Sequence, residues 1–116
     1  NQWTSTETPL PTLPPHCHDC GAIARPDVVW FGESLDPQVL QAAYHVVRNA
    51  DILLVIGTSA LVYPAAGLPQ VAKDAQANIV EINPQETPVS SFADEVYREP
   101  ATEGLKMWWR SWQKSN

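Results

Sequence analysis

Two hydrophobic periods divide this chain, and the change from one to the other marks its elements. Asp27-Val28-Val29-Trp30-Phe31 is a β-branched and aromatic run stopped by Gly32, and it predicts a strand. Asp36-Pro37 then supplies an N-cap followed by proline at the first helical position. Val39, Leu40, Ala43, Val46, Val47 and Ala50 recur at helical spacing and predict a helix over 37–49 with one buried face. Ile52-Leu53-Leu54-Val55-Ile56 is continuously apolar and ends at Gly57, the pattern of a strand buried on both faces. An Ala-rich segment over 64–76 predicts a second helix, kinked or restarted at Pro69, and Asn78-Ile79-Val80-Glu81-Ile82 a further strand closed by Asn83-Pro84. Leu105, Trp108, Trp109 and Trp112 fall at i, i+3, i+4 and i+7, so the tail is an amphipathic helix.

Strands alternating with helices imply parallel pairing through right-handed crossovers. The expected fold class is α/β, a doubly wound parallel sheet whose ligands bind at the carboxyl ends of the strands. Three or four strands are few for such a sheet, so the chain reads as the second half of a larger one. Residues 1–26 differ: Pro9, Pro11, Pro14 and Pro15 fall in a polar, Thr-rich stretch that cannot hold a helix or central strand. We therefore expect an extended loop module over 1–26 and an α/β unit over 27–116.

Composition narrows the function classes. An apolar share of 44% and a charged share of 17% suit a packed chain and exclude wholesale disorder. The net charge of −6 argues against a nucleic-acid surface. No run approaches the ~20 apolar residues of a membrane span, and the Pro-rich start does not resemble a signal peptide. Two cysteines three residues apart cannot staple a small secreted fold, so metal or redox chemistry in a reducing, cytoplasmic setting is expected.

Two motifs carry chemistry. Gly57-Thr58-Ser59 directly follows a buried strand, where glycine lets the backbone approach a ligand and hydroxyls can bond phosphate or ribose; alone, it fits a plain βα turn equally well. Cys17-His18-Asp19-Cys20 places two thiolates on one tight turn, half of a tetrahedral zinc site. His16 and His18 are possible additional ligands, although adjacent residues seldom chelate together. His45, inside helix 37–49, reads as solvent-facing or packed rather than catalytic.

Longer strings identify a resemblance. The run from Gly57 through Pro69 resembles the NAD-binding segment of sirtuins, the NAD-dependent protein deacylases. Arg25-Pro26-Asp27-Val28-Val29-Trp30-Phe31-Gly32-Glu33 resembles the family's "RPxVVWFGE" segment, and Ile82-Asn83-Pro84 its ribose-binding strand end. The three motifs occur in family order over about residues 15–105. Tyr63-Pro64-Ala65-Ala66 is similar to the bacterial and mitochondrial class that removes acidic acyl groups, whereas Asp27 stands where the family usually has histidine and weakens that assignment.

The resemblance implies roles. Gly57, Thr58 and Ser59 would line the NAD diphosphate and ribose, Asn83 and Gln85 would face the adenosine ribose, and Ala101 would lie near adenine. Val29, Phe31, Gly32 and Glu33 would form the floor and edge against which an acyl-lysine protein or peptide adds as a strand, with Val62 facing that peptide. For Val29 and Phe31 plain core packing is the competing reading. Cys17 and Cys20 correspond to the second of two cysteine pairs that hold a structural zinc in the family; the sequence contains no other cysteine.

The same resemblance says what is missing. In the family the acyl oxygen attacks a ribose carbon of NAD as nicotinamide leaves, and a histidine base activates a ribose hydroxyl. The Gly-rich "GAGxS" motif, the "QNxD" motif with its catalytic histidine, and the Tyr/Arg pair that reads acidic acyl groups all belong upstream of residue 1, and none of His16, His18 and His45 occupies the catalytic position. The chain thus reads as the C-terminal half of a Rossmann-like sheet with part of a zinc-binding module: a sirtuin deacylase (deacetylase, an acyl transferase to ADP-ribose) that needs an N-terminal half or second chain and is inactive alone. A non-catalytic nucleotide-binding or assembly module is the alternative, and a zinc-ribbon interaction module a weaker third reading. Either way an uncovered sheet edge and apolar face are expected.

Overall fold

A computed structural model describes residues 2–115. The chain divides into two compact units, Asn1–Leu35 and Asp36–Asn116.

Among the described residues, every helix and strand lies in the second unit. Helix α1 spans Pro37–Arg48, strand β1 Ile52–Ile56, helix α2 Leu68–Asp74, strand β2 Asn78–Ile82, strand β3 Glu95–Tyr97 and helix α3 Ala101–Ser115; short 3-10 turns cover Ala65–Gly67 and Pro88–Ser91. The start of α1 is as expected: the Asp36 carboxylate accepts from the Gln38 N–H at 2.8 Å, and Pro37 opens the helix. The segment over 64–76 is a 3-10 turn followed by a restarted helix with Pro69 in its first turn.

The three strands are parallel in the order β1-β2-β3, with Leu53 beside Ile79 and Glu81 beside Val96. Side-chain alternation gives the sheet two apolar faces. On one, Val55 and Ile79 pack with Val47 of α1 and Ala72 of α2; on the other, Val80 and Ile82 pack with Trp108 of α3. The sheet therefore carries helices on both faces, as a doubly wound α/β fold requires.

Four expectations need correction. The run over 27–31 forms no strand. Local bonds turn the segment instead: Val28 N–H donates to Pro26 O at 2.9 Å and Glu33 N–H to Trp30 O at 3.0 Å, while the Trp30 N–H is taken by the Glu33 carboxylate. Strand β1 is not buried on both faces: Val55 alone is fully buried, because β1 lies at the edge and β2 takes the centre. On α1, Leu40, Ala43 and Val47 turn inward, but Val39 and Val46 are 66% and 64% exposed, since their stripe falls beside the buried one. Strand β3, only three residues long, was not anticipated.

The first unit is irregular apart from one antiparallel bridge, His16 to Ile23. It closes a small hairpin around the cysteine pair: Cys17 N–H donates to Ala22 O at 2.8 Å, and Gly21, at φ +72°, donates to Cys17 O at 2.9 Å. Glycine is what that left-handed position favours. Among the described residues no helix is long and apolar enough to cross a membrane.

Candidate functional site

The candidate site lies at the carboxyl ends of β1 and β2. After Ile56 the chain turns at Gly57, at φ +62°, whose N–H donates across to the Ile82 carbonyl at 3.0 Å. That bond closes the β1–β2 ladder and leaves Gly57, Thr58 and Ser59 exposed. Thr58 Oγ1 accepts from the Ala60 N–H at 3.1 Å, stabilising the turn into the next segment. A Cβ on Gly57 would meet no atom within 4 Å, so the approach to this turn is open.

Asn83, at the end of β2, ties the two strand ends together. Its Nδ2 donates to the Thr58 carbonyl at 2.8 Å, and its Oδ1 accepts from the Gln85 N–H at 3.0 Å. Three residues expected at the nucleotide thus occupy one connected set of hydrogen bonds. Gln85 is exposed, and Ala101 opens α3 with its side chain also exposed. A cavity of about 320 Å³ reaches under the β1 turn, lined among others by Val55, Thr58, Ser59, Ala60, Val62 and Leu68. Its apolar walls with a few polar groups at the mouth have the character of a small-molecule site.

Sequence reading missed what holds the Asn83 turn in place. Glu81, on the central strand, is 1% exposed, and a buried carboxylate must be paired. Thr87 Oγ1 donates to its Oε1; Ser90 Oγ donates to Oε2 at 2.6 Å and Arg98 Nη1 at 3.0 Å. The same Nη1 also reaches Asn83 O at 3.2 Å and Gln85 O at 2.9 Å, while Arg98 Nη2 donates to Ser90 Oγ at 2.8 Å. The one signal in the sequence was a carboxylate between Val80 and Ile82 of a mostly apolar strand.

The residues expected to face the peptide belong to both units. Val62 belongs to the second unit and is exposed; Val29, Phe31, Gly32 and Glu33 belong to a loop of the first. Phe31 is 92% exposed and Val29 half exposed, so neither is a core residue in this chain. Arg25 shapes the loop. Its guanidinium holds the Glu33 carboxylate at 2.6 and 2.9 Å, donates to Val28 O at 2.9 Å and lies 5.4 Å from the Trp30 ring. The Trp30 N–H adds a third bond to Glu33 at 3.0 Å, and the side-chain bonds from Arg25, ahead of this one, pull the carboxyl down to about 2.

The cysteine turn has the right shape for one half of a metal site. Hydrogen bonding from Cys20 first, then from Asp19, holds the Cys17 thiol below its usual value. Among the described residues, however, no group of three or more His, Cys, Asp or Glu side chains could hold a metal ion. Two thiolates fit a shared zinc and do not complete one. His45 is exposed on α1.

Comparison with known proteins matches this picture. A model of the Sir2 family matches residues 1–64. An NAD-dependent protein deacylase of Aquifex aeolicus (strain VF5) is 52% identical over 99 residues, covering 85% of this chain and 41% of that protein. A solved Sir2 homologue in complex with NAD aligns with TM-score 0.86 at 43% identity, over 99% of this chain and 45% of that one. A structure of Sir2 with a p53 peptide and NAD+ aligns with TM-score 0.72 at 33% identity, over 84% and 41%. The chain thus spans about two fifths of the length of the curated relatives it matches.

Proposed function

The chain belongs to the Sir2 family, and on that premise we propose that it is the C-terminal, NAD-binding part of an NAD-dependent protein-lysine deacylase. The observation that carries the reading is the bond from Asn83 to the Thr58 carbonyl, which presents Gly57, Thr58, Ser59 and Asn83 together where two parallel strands end. In this reading Gly57 leaves room for the diphosphate, the Ser59 and Thr58 hydroxyls face phosphate and ribose, and Asn83 with Gln85 faces the adenosine ribose. Ala101 borders the adenine.

The loop over 29–33 takes the acyl-lysine peptide along its edge, and Phe31 covers the acyl-lysine side chain and excludes water; Val62 belongs to a segment that faces the peptide. NAD, when bound, supplies the ribose carbon that accepts the acyl group and the nicotinamide that leaves. None of the three histidines takes a role in that step, so the general base comes from a portion of the protein that these 116 residues do not contain. Cys17 and Cys20 contribute two of four thiolates to a structural zinc.

The test completes the chain with the portion of the Aquifex aeolicus deacylase that it does not match, and measures NAD binding by calorimetry. Saturable binding that weakens in Ser59→Ala and Asn83→Ala supports the reading. Binding unaffected by both substitutions contradicts it. Binding without nicotinamide release favours a non-catalytic nucleotide-binding module.

A further inference from the structure

We propose that Arg98 is a positioning residue for the nucleotide, acting through the backbone of the 83–85 turn and braced by buried Glu81. The inference rests on the reading of Asn83 and Gln85 as the ribose-facing pair.

Arg98 follows β3 directly, one strand away from the turn it contacts. One guanidinium nitrogen is shared among the carbonyls of Asn83 and Gln85 and the Glu81 carboxylate, and the other is held by Ser90 Oγ. Both carbonyls of the turn are thereby pulled to the same side. The Asn83 side chain is left to bridge Thr58 and the Gln85 N–H.

Glu81 is what keeps the guanidinium from swinging out into solvent. Its carboxylate is fixed by Thr87 and Ser90, which also cap the turn Pro88–Ser91: Thr87 Oγ1 accepts from the Val89 N–H at 3.1 Å, and the Thr87 N–H donates to Ser90 Oγ at 2.9 Å. Each hydroxyl therefore donates to Glu81 while accepting from a backbone N–H, so the network has a single sense of donation. A planar fork of five donors can serve two carbonyls, a carboxylate and a hydroxyl together, and an ammonium cannot.

Arg98→Ala removes the cation paired with buried Glu81 and should lower the unfolding midpoint, while Thr87 and Ser90 still donate to that carboxylate, so affinity is read on protein that circular dichroism shows to be folded. In the completed enzyme it should raise the KM for NAD and the Kd for ADP-ribose about tenfold, the scale of one hydrogen-bonded contact to a charged group. The KM for the acyl peptide should stay within about twofold, a difference too small to reflect a lost contact. Arg98→Lys should recover part of the loss. Arg98→Ala combined with Asn83→Ala should bind NAD no more weakly than Asn83→Ala alone, since both act through one turn.

Ser90→Ala, which removes one anchor of the guanidinium, should move NAD affinity in the same direction by less, and circular dichroism reports whether each variant is folded. A folded Arg98→Ala enzyme with unchanged NAD affinity overturns the proposal, as does an equal loss for NAD and peptide. If Ser59→Ala and Asn83→Ala also leave NAD binding untouched, the nucleotide reading itself falls with it. If those two weaken binding and Arg98→Ala does not, only the positioning role falls.

Discussion

Asn83 Nδ2 donates to the Thr58 carbonyl oxygen at 2.8 Å, joining the loop after β1 to the end of β2 across 25 residues of chain. Asn83 is nearly buried although it stands at a strand end, and its Oδ1 is occupied by the Gln85 N–H. The amide therefore serves as a fixed strut between the loop that carries Thr58 and Ser59 and the end of β2. Sequence, turn conformation and strand pairing all converge on that one side chain.

Ser59→Ala should weaken NAD binding in the completed enzyme by about 1–2 kcal/mol, the cost of one lost hydrogen bond to a charged group. Calorimetry showing unchanged affinity would remove Ser59 from the site. Gly57→Ala should act differently. The added Cβ meets nothing, but the positive φ of +62° remains, so folding stability should fall by about 1–2 kcal/mol.

Gly104 in α3 lies tight against Ile82 of the central strand, and a Cβ there would collide with the Ile82 side chain. Glycine to alanine inside a helix ordinarily stabilises by about 1 kcal/mol through the unfolded chain. Here overpacking should reverse the sign, costing about 1–3 kcal/mol as the helix is pushed off the sheet. Denaturant unfolding of Gly104→Ala checks it; an unchanged or raised midpoint would show that α3 can shift freely.

The Glu33 carboxyl, held at about 2 against an ordinary 4.5 by the Arg25 guanidinium and then the Trp30 N–H, makes the 25–33 loop acid-resistant. A depressed carboxylate contributes stability that is full above the unfolded value and is lost as pH falls through the folded one. The clamp should therefore weaken only between about pH 4.5 and 2. Titration followed by NMR should place the Glu33 midpoint near 2, and Arg25→Gln should return it toward 4.5. A wild-type midpoint at the ordinary value would mean that the ion pair does not persist in solution.

The parts of this structure that follow a long period were legible in the sequence. Asp36-Pro37 announced α1, the apolar run Ile52–Ile56 announced β1, and the tryptophan spacing announced α3. What periodicity cannot convey is which neighbour a run will find. Residues 27–31 have strand-like side chains, yet Arg25 and Glu33 fold the segment back on itself. Ile52–Ile56 is as apolar as a central strand and lies at an edge of the three described strands, an uncovered edge of the kind the sequence predicts. Glu81 stands inside a predicted strand, and its partners Thr87, Ser90 and Arg98 lie 6 to 17 residues away, beyond any local pattern. The strand-end residues were found through resemblance to a family; their brace was found only in three dimensions.

Zinc should not bind stoichiometrically to the 116-residue chain by itself. Cys17 and Cys20 share one turn, and four ligands are needed to close a structural site. Metal analysis after dialysis against a mild chelator should find zinc only in the completed protein. One zinc retained per isolated chain would contradict the half-site and make His16 or His18 a ligand.

The central claim is that these residues form the NAD-binding part of a protein-lysine deacylase, and its most direct test is nicotinamide release coupled to deacylation. The chain is combined with the portion of the Aquifex aeolicus relative that it does not match, and supplied with NAD and an acyl-lysine peptide. Nicotinamide should appear in step with deacylated peptide, depend on both halves, and fall in Ser59→Ala. Stable assembly of the two halves that binds NAD but never releases nicotinamide would contradict the account.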